Sequence, residues 1–324
     1  MPKVSVIVPI FRVEHYIERC VRSLMEQSLD DIEYIFVDDA SPDNSMSILE
    51  RTLNEYPQRT KVKIFRNHHN LGQALARRRG IMEATGEYVI HCDPDDWVEH
   101  DMYETLYHEA EERNHDMVWS DYYICAQGKR IACSQESLLT RKDVIRSLLS
   151  GKIAGSLWNR LVKRSIVQDK CIRWPEKNLI EDLVLVLQYY LHSSSVDYIP
   201  RPLYNYNQDN TDSITTSGTD RARVLKNAKD YKVNLEMIID ILRSNQLLDV
   251  YSCEVEFLKF ISKSFYFALL DTAKDCREWR ACFPEINFSL FSNPLISKGS
   301  KQMSFLALTS LYPLCKFIKH KIGK

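Results

Sequence analysis

Residues 87–97, EYVIHCDPDDW, run from an apolar stretch, Tyr88-Val89-Ile90, into three aspartates, Asp93, Asp95 and Asp96, broken by Pro94. Carboxylates this close repel one another, so the cluster needs a cation, hydrogen-bond donors or open solvent to be tolerated. A solvated acidic turn meets that condition as well as a binding site does, and the surrounding chain has to decide. Working outward, VSVIVPIF (4–11), IEYIFVDD (32–39) and KVKIF (61–65) are further short apolar runs. Between them lie helical patterns. VEHYIERCVRSLMEQS puts Ile17, Cys20, Val21, Leu24 and Met25 on one face; DNSMSILERTLNEY has Ser41 or Asn44 as N-cap; GQALARRRGIMEAT is closed by Gly86 as its C′ residue. Such alternation predicts an α/β fold, an open and mostly parallel sheet flanked by helices. Ligands bind such sheets beyond the carboxyl ends of the strands. Asp38-Asp39 and Asp93-Asp95-Asp96 both fall there, which moves the reading from solvated turn to site.

Past Glu112 the alternation fades. DMVWSDYYIC and KRIACS read as an antiparallel hairpin, and RKDVIRSLLSG as a short helix ended by Gly151. LWNRLVKRSIV and IEDLVLVLQYYLH read as two more helices, and VDYIPRPLYNYNQ as a Pro-punctuated edge strand. The polar run DNTDSITTSGT holds the expected boundary between a domain over 1–215 and a helical region over 216–324. With 44% hydrophobic and 27% charged residues the chain is that of a soluble globular protein. A net charge of −1 gives no field that would draw it to nucleic acid. Nine cysteines without a CxxC pair suggest neither zinc nor a disulfide framework, and reduced thiols predict a cytoplasmic protein. MPKVSVIVPIF has no signal-peptide pattern, and no stretch reaches the length of a membrane span.

Read in order, VSVIVPIFRVEHYIERCVRSLMEQSLDDIEYIFVDDASPDNS, NLGQALARRRG and GEYVIHCDPDDW resemble the family 2 glycosyltransferases with a GT-A fold. LWNRLVKRSI, IEDLVLVLQYY and PLYNYNQDNTDSIT resemble the bacterial members that build surface polysaccharide. The resemblance covers about the first two-thirds of the chain; the last third carries no matching motif. It implies a metal-dependent inverting transferase moving a hexosyl or N-acetylhexosaminyl group. The donor would be a nucleotide sugar, UDP-linked, and the acceptor a hydroxyl of a glycan or lipid-linked molecule.

The resemblance also implies roles. Phe11 would stack on the uracil and Asp39 accept its ring N–H, with Pro9 shaping the backbone between them; a core aromatic at a strand end is the alternative for Phe11. Asp38 reads as a loop carboxylate capping the next helix. Gly72 opens the following helix, or is simply a loop glycine, and Arg77 would face the nucleotide while Arg78 and Arg79 point to water. Asp93 would contact the ribose or a metal-bound water, and Asp95 would ligate Mg²⁺ or Mn²⁺ on the diphosphate. The catalytic base falls in Glu181-Asp182, with Asp182 as base and Glu181 orienting it, although carboxylates at a helix N-terminus are also favoured by the dipole alone. Trp97 and Trp158 are either core residues or walls of an acceptor pocket, and the histidines read as surface residues. Ser213-Ile214-Thr215 matches a segment that folds over the donor in relatives. Tyr204-Asn205-Tyr206-Asn207 lacks the basic residue that many of them carry just before it.

Two other readings compete. A nucleotidyltransferase would show a glycine-rich basic loop after the first strand, and VPIFRVEHYIE has none. A non-catalytic nucleotide-sugar-binding protein would have lost the metal or base carboxylate, and both are present. The C-terminal SFLALTSLYPLCKFIKHKIGK is either a packed helix with a basic tail or a peripheral membrane contact.

Overall fold

The computed structural model describes residues 1–57, 61–135, 140–210 and 221–316. The chain forms two compact units, Met1–Ile145 with Ile153–Thr216, and Arg146–Lys152 with Ser217–Lys324. The expected boundary at 215/216 and the Ser213-Ile214-Thr215 segment lie outside the described residues.

The first unit is built on one sheet. Its strands are β1 (Val4–Ile10), β2 (Ile32–Asp38), β3 (Val62–Arg66), β4 (Tyr88–His91), β5 (Trp97–Val98), β6 (Met117–Ala126), β7 (Lys129–Cys133), β8 (Arg160–Lys163) and β9 (Val196–Asn207). Among the described residues the order is β3-β2-β1-β4-β8-β6-β9-β5, with β7 beside β6. β3-β2-β1-β4 is wholly parallel, and β1 and β2 are buried at every position, as strands covered on both faces must be. The helices are α1 (Ile17–Met25), α2 (Ser45–Leu53), α3 (Gln73–Met82), α4 (Met102–Glu112), α5 (Arg141–Leu149), α6 (Arg164–Val167) and α7 (Glu181–His192). α1 buries the five residues its pattern singles out. Chain order reverses between β1 and β4, which leaves a crevice beyond their carboxyl ends.

Beyond β4 the sheet turns mixed: β8 pairs antiparallel with both β4 and β6, while β6 and β9 run parallel. Three local expectations are corrected here. The LWNRLVKRSIV segment is not one helix but strand β8 followed by the single turn α6, because Leu161 and Val162 fill the gap between β4 and β6. β9 is no edge strand: it lies between β6 and β5, and Pro200 falls in a register shift where Ser120 faces Ile199 and Asp121 faces Pro202. Gly86 does not cap α3, which ends at Met82. Instead a Cβ at Gly86 would stand 2.8 Å from the Ser5 nitrogen, so glycine there permits close approach to β1. In the second unit α8 (Arg221–Ser244), α9 (Ser252–Ser264), α10 (Ala273–Ala281) and α11 (Lys298–Leu308) make up the helical region. α10 opens with a capping box, Thr272 and Asp275.

Glu33, 4% exposed on β2, ties the back of the sheet together. It accepts from Ser5 Oγ (2.5 Å), Thr85 N (2.5 Å) and Gly86 N (3.0 Å), and Lys63 Nζ lies 2.8 Å away. Burial alone would raise its pKa, but Lys63, Ser5 and Thr85 together bring it down to about 2. A depressed carboxyl stabilises the fold above its unfolded pKa and loses that effect as pH falls through the folded value. Glu33→Gln is therefore expected to lower stability at neutral pH by about 1–3 kcal/mol. In urea unfolding the deficit should shrink between pH 4.5 and pH 2; a deficit independent of pH would contradict the ionised role.

Candidate active site

The site begins with Asp39, just past the end of β2 and 2% exposed. Its carboxylate accepts from Asn67 Nδ2 (2.7 Å) and from the backbone N–H groups of Leu71 (2.9 Å) and Gly72 (2.8 Å). Gly72 has φ +92°, a conformation that favours glycine, and a Cβ there would come within 2.6 Å of the Asn178 amide, which would have to shift. Asp39 thereby fixes the start of α3. Gly80 lets α3 settle against Ile7 of β1, where a Cβ would clash at 2.5 Å.

One turn in, α3 carries Arg77, 1% exposed. Its guanidinium donates to Asp93 Oδ1 (2.6 Å), Glu181 Oε1 (3.1 Å) and Asp182 Oδ1. Four residues expected at the site, from three separate segments, thus meet on one side chain. Burial pulls the Arg77 pKa down, but Asp182, Asp93 and Glu181 outweigh it and hold the cation firmly charged. Burial, then Asp182, hold the Glu181 carboxyl well above the usual range. Asp182 is pushed up to about 6 by burial, against the pull of Arg77. The pair opens α7 directly after Ile180, whose φ of +54° is unfavourable for a β-branched residue.

The three aspartates after β4 separate. Asp93 turns to Arg77 and also receives Gln73 Nε2 at 3.3 Å. Asp96 is 1% exposed and accepts from Tyr204 Oη (2.6 Å) and Asn207 N (2.7 Å), so it pins β9. Asp95 accepts from Asn210 Nδ2 at 2.9 Å, and burial, then Asp93, raise its pKa. Pro9 lies buried in β1 opposite Val37, and Phe11, 36% exposed just past β1, has the Arg12 guanidinium 5.3 Å from its ring centre.

Residues 5–169 match the model of the family described as glycosyl transferase family 2. The chain belongs to that family. A curated relative, the cholesterol galactosyltransferase of Borreliella burgdorferi, is 30% identical over 82% of this chain and 74% of its own. The uncharacterized glycosyltransferase EpsJ of Bacillus subtilis is 30% identical over 66% of this chain, which spans 63% of that relative's length. Among solved structures, S. aureus TarS 1-349 in complex with UDP-GlcNAc aligns over 99% of this chain and 92% of its own, with TM-score 0.66 and 16% identity. The mannosyltransferase PcManGT from Pyrobaculum calidifontis, in complex with GDP-Man and Mn²⁺, aligns over 100% of this chain and 88% of its own, with TM-score 0.57 and 15% identity. These structures share the fold, which is GT-A-like.

In this glycosyltransferase the donor set around Asp95 suits a hard divalent cation. It is an oxygen ligand, its charge is unfavourable beside Asp93, and Asn210 takes only one of its oxygens. Among the described residues, Asp95 is not part of a group of three ligating side chains in mutual reach; Glu109, His115 and Asp197 form such a group, apart from these aspartates. Several expectations change. Arg79 is not simply solvated but donates to the Arg66 carbonyl at 2.7 Å. Trp158 is a core residue, stacked on Tyr204 with ring centres 4.3 Å apart, and Trp97 has Arg19 over its face at 3.5 Å. His91 is buried, and burial together with Arg77 keeps it neutral. Sequence reasoning missed Asn178 and Asn210 and the roles of Tyr204 and Asn207; the asparagine-rich NYNQDN run was the one available signal.

Arg77→Met leaves three buried or half-buried carboxyls without their shared cation. The expected loss is about 3–5 kcal/mol at pH 7.5. Carboxyls with raised pKa values oppose folding when ionised and cease to do so as pH falls below those values. The loss should therefore shrink toward pH 5 in denaturant titrations. Equal losses at both pH values would show that the carboxyls do not depend on Arg77.

Proposed function

We propose that this glycosyltransferase moves a hexosyl or N-acetylhexosaminyl group from a UDP-linked donor to a hydroxyl of a glycan or lipid-linked acceptor, with inversion, in surface-polysaccharide synthesis. The observation that carries this reading is the Arg77 guanidinium, which joins the aspartate after β4 to the carboxyl pair that opens α7. Phe11 and the edge of Asp39 receive the base, and Asp93 the ribose. Asp95 holds Mg²⁺ or Mn²⁺, which would supply electrostatic stabilisation of the charge developing on the diphosphate.

Of the α7 pair, Asp182 is the better base, because its side chain is 23% exposed against 8% for Glu181. It takes the acceptor hydroxyl proton as that oxygen attacks the anomeric carbon. The bond from that carbon to the phosphate oxygen breaks, and its electron pair leaves with the diphosphate. Glu181 shares Arg77 with Asp182 and orients it. Support for a nucleotide-sugar donor comes from what TarS and PcManGT are seen to bind, and for a lipid acceptor from the name of the Borreliella relative.

Asp95→Ala should lose Mn²⁺-dependent UDP binding in calorimetry while its melting curve changes little. Asp182→Asn should keep donor binding and lose transfer by about 10²–10⁴-fold. Because Asp182 must be ionised, kcat/KM in the wild type should fall as pH drops below about 6. UDP binding independent of Asp95, or full transfer by Asp182→Asn, would remove the corresponding role.

We place the protein peripherally at the cytoplasmic face of a membrane, through its second unit. Among the described residues no helix is long and apolar enough to cross a bilayer. Phe288 is 82% exposed, Phe305 55% and Leu314 55%, and Phe291 and Phe305 line a shallow apolar groove of about 480 Å³ beside Lys301. No Asp or Glu follows Glu285, whereas six lysines do. An apolar groove in a stretch with lysines and no acid, of which Lys316 is paired with Asp271, suits an anionic lipid surface, where each available lysine contributes roughly 1 kcal/mol. The distal lysines Lys319, Lys321 and Lys324 lie outside the described residues. Phe305→Glu with Leu314→Glu should abolish co-sedimentation with phosphatidylglycerol vesicles and spare transfer to a soluble acceptor. Wild-type protein that ignores such vesicles at low salt would refute the placement.

A further inference from the structure

Among the described residues Arg77 is one of two arginines that are 1% exposed; the other is Arg160, in the LWNRL stretch that the proposed reaction leaves without a role. Arg77 has three carboxylates. Among the described residues Arg160 has none within ion-pair distance. A buried guanidinium without a counter-ion is costly, and an apolar side chain of similar size would serve packing better. What Arg160 does make is a clamp on its own loop. Its NH1 donates to the Ser156 carbonyl (2.5 Å) and Asn159 Oδ1 (2.7 Å), and its NH2 to the Ala154 carbonyl (2.5 Å). Asn159 Nδ2 in turn donates to the Ser120 carbonyl on β6 at 2.7 Å, and the Ser120 N–H returns to the Asn159 carbonyl at 3.2 Å. The loop is thereby bolted to the sheet.

Inside that loop sits Gly155, which faces Leu183, the residue next to Asp182 on α7. The loop is pressed onto the start of α7: a Cβ on Gly155 would lie 3.3 Å from Leu183. We propose that Arg160 is a positioning residue for sugar transfer: by holding the carbonyls of Ala154 and Ser156 it keeps the loop packed on the first turn of α7 and so fixes the Asp182 carboxylate toward the acceptor. The inference rests on Asp182 being the base. The charged groups facing Asp182 are Arg77 from α3, Asp93 after β4, Glu181 beside it on α7 and Arg160 at the start of β8. Arg77 and Arg160 both favour the ionised form.

The test compares Arg160→Gln, which keeps a donor for the loop but no charge, with Arg160→Lys, which keeps the charge but not the fork. Asp182→Asn is measured alongside, all on the full chain. Both Arg160 variants should bind UDP with Mn²⁺ as the wild type does, with donor KM unchanged and kcat down by on the order of 10- to 100-fold, the cost of a small misplacement. The acid limb of kcat/KM should move to higher pH in Arg160→Gln and return toward the wild-type position in Arg160→Lys. If Asp182→Asn keeps full transfer, the base reading fails. If Asp182→Asn is inactive while both Arg160 variants show wild-type kcat and acid limb, the positioning role alone is refuted. If both variants lose UDP binding together with their fold, Arg160 is a fold residue and the proposal also falls; if one folds, it decides.

Discussion

A cation buried among carboxylates organises this protein. Arg77 is inaccessible to water, so its charge has to be met locally, and it is met by Asp93, Glu181 and Asp182. Removing any partner would unbalance the rest, because charges in a low-dielectric site interact strongly and cannot be compensated by solvent. The requirement reaches backward through the chain. Arg77 arrives at the right depth only because α3 starts where Asp39 sets it and lies flat on β1 through Gly80. It reaches forward too, since the α7 pair can meet Arg77 only if Ile180 accepts a left-handed conformation.

The crowding of aspartates after β4 then has a physical resolution. One of the three is neutralised by Arg77, one is sealed by Tyr204 and Asn207, and one is left with a partly satisfied, destabilised carboxylate. Division of labour among near-identical side chains is set by environment alone. Tyr204 links two of them, accepting from the Asp93 N–H at 3.0 Å while donating to Asp96. A rigid aromatic, itself stacked on Trp158, thus holds the turn still from the core side.

Much of this was legible in the sequence. The parallel half of the sheet was, because strands buried on both faces read as continuous apolar runs, and the carboxylates at their ends stood out against them. Asp39, Gly72, Arg77, Asp93 and the Glu181-Asp182 pair were singled out, and the fold joins them in two hydrogen-bonded groups. The mixed half was less legible. Leu157, Trp158, Leu161 and Val162 satisfy a helical spacing as well as a strand, and only the vacancy between β4 and β6 decides for the strand. Partners from distant segments left no local trace: Asn210 stands 115 residues from Asp95, and the Asn207 N–H that Asp96 accepts is a backbone group, 111 residues away, of a kind nearly every residue possesses.

One guanidinium shared between Asp93 and the α7 pair also makes the two ends of the site interdependent. Asp93 raises the Asp182 pKa and Arg77 lowers it, so positive charge added beside Asp93 and Asp95 would offset the Asp93 contribution and favour the ionised Asp182 carboxylate. Because coupling between two binding events is reciprocal, an ionised Asp182 must strengthen the attraction of positive charge to the aspartates after β4. Protonation of Asp182 correspondingly weakens that attraction. No moving part is needed, because the coupling is the direct Coulomb interaction of the two ends across a buried site at fixed geometry.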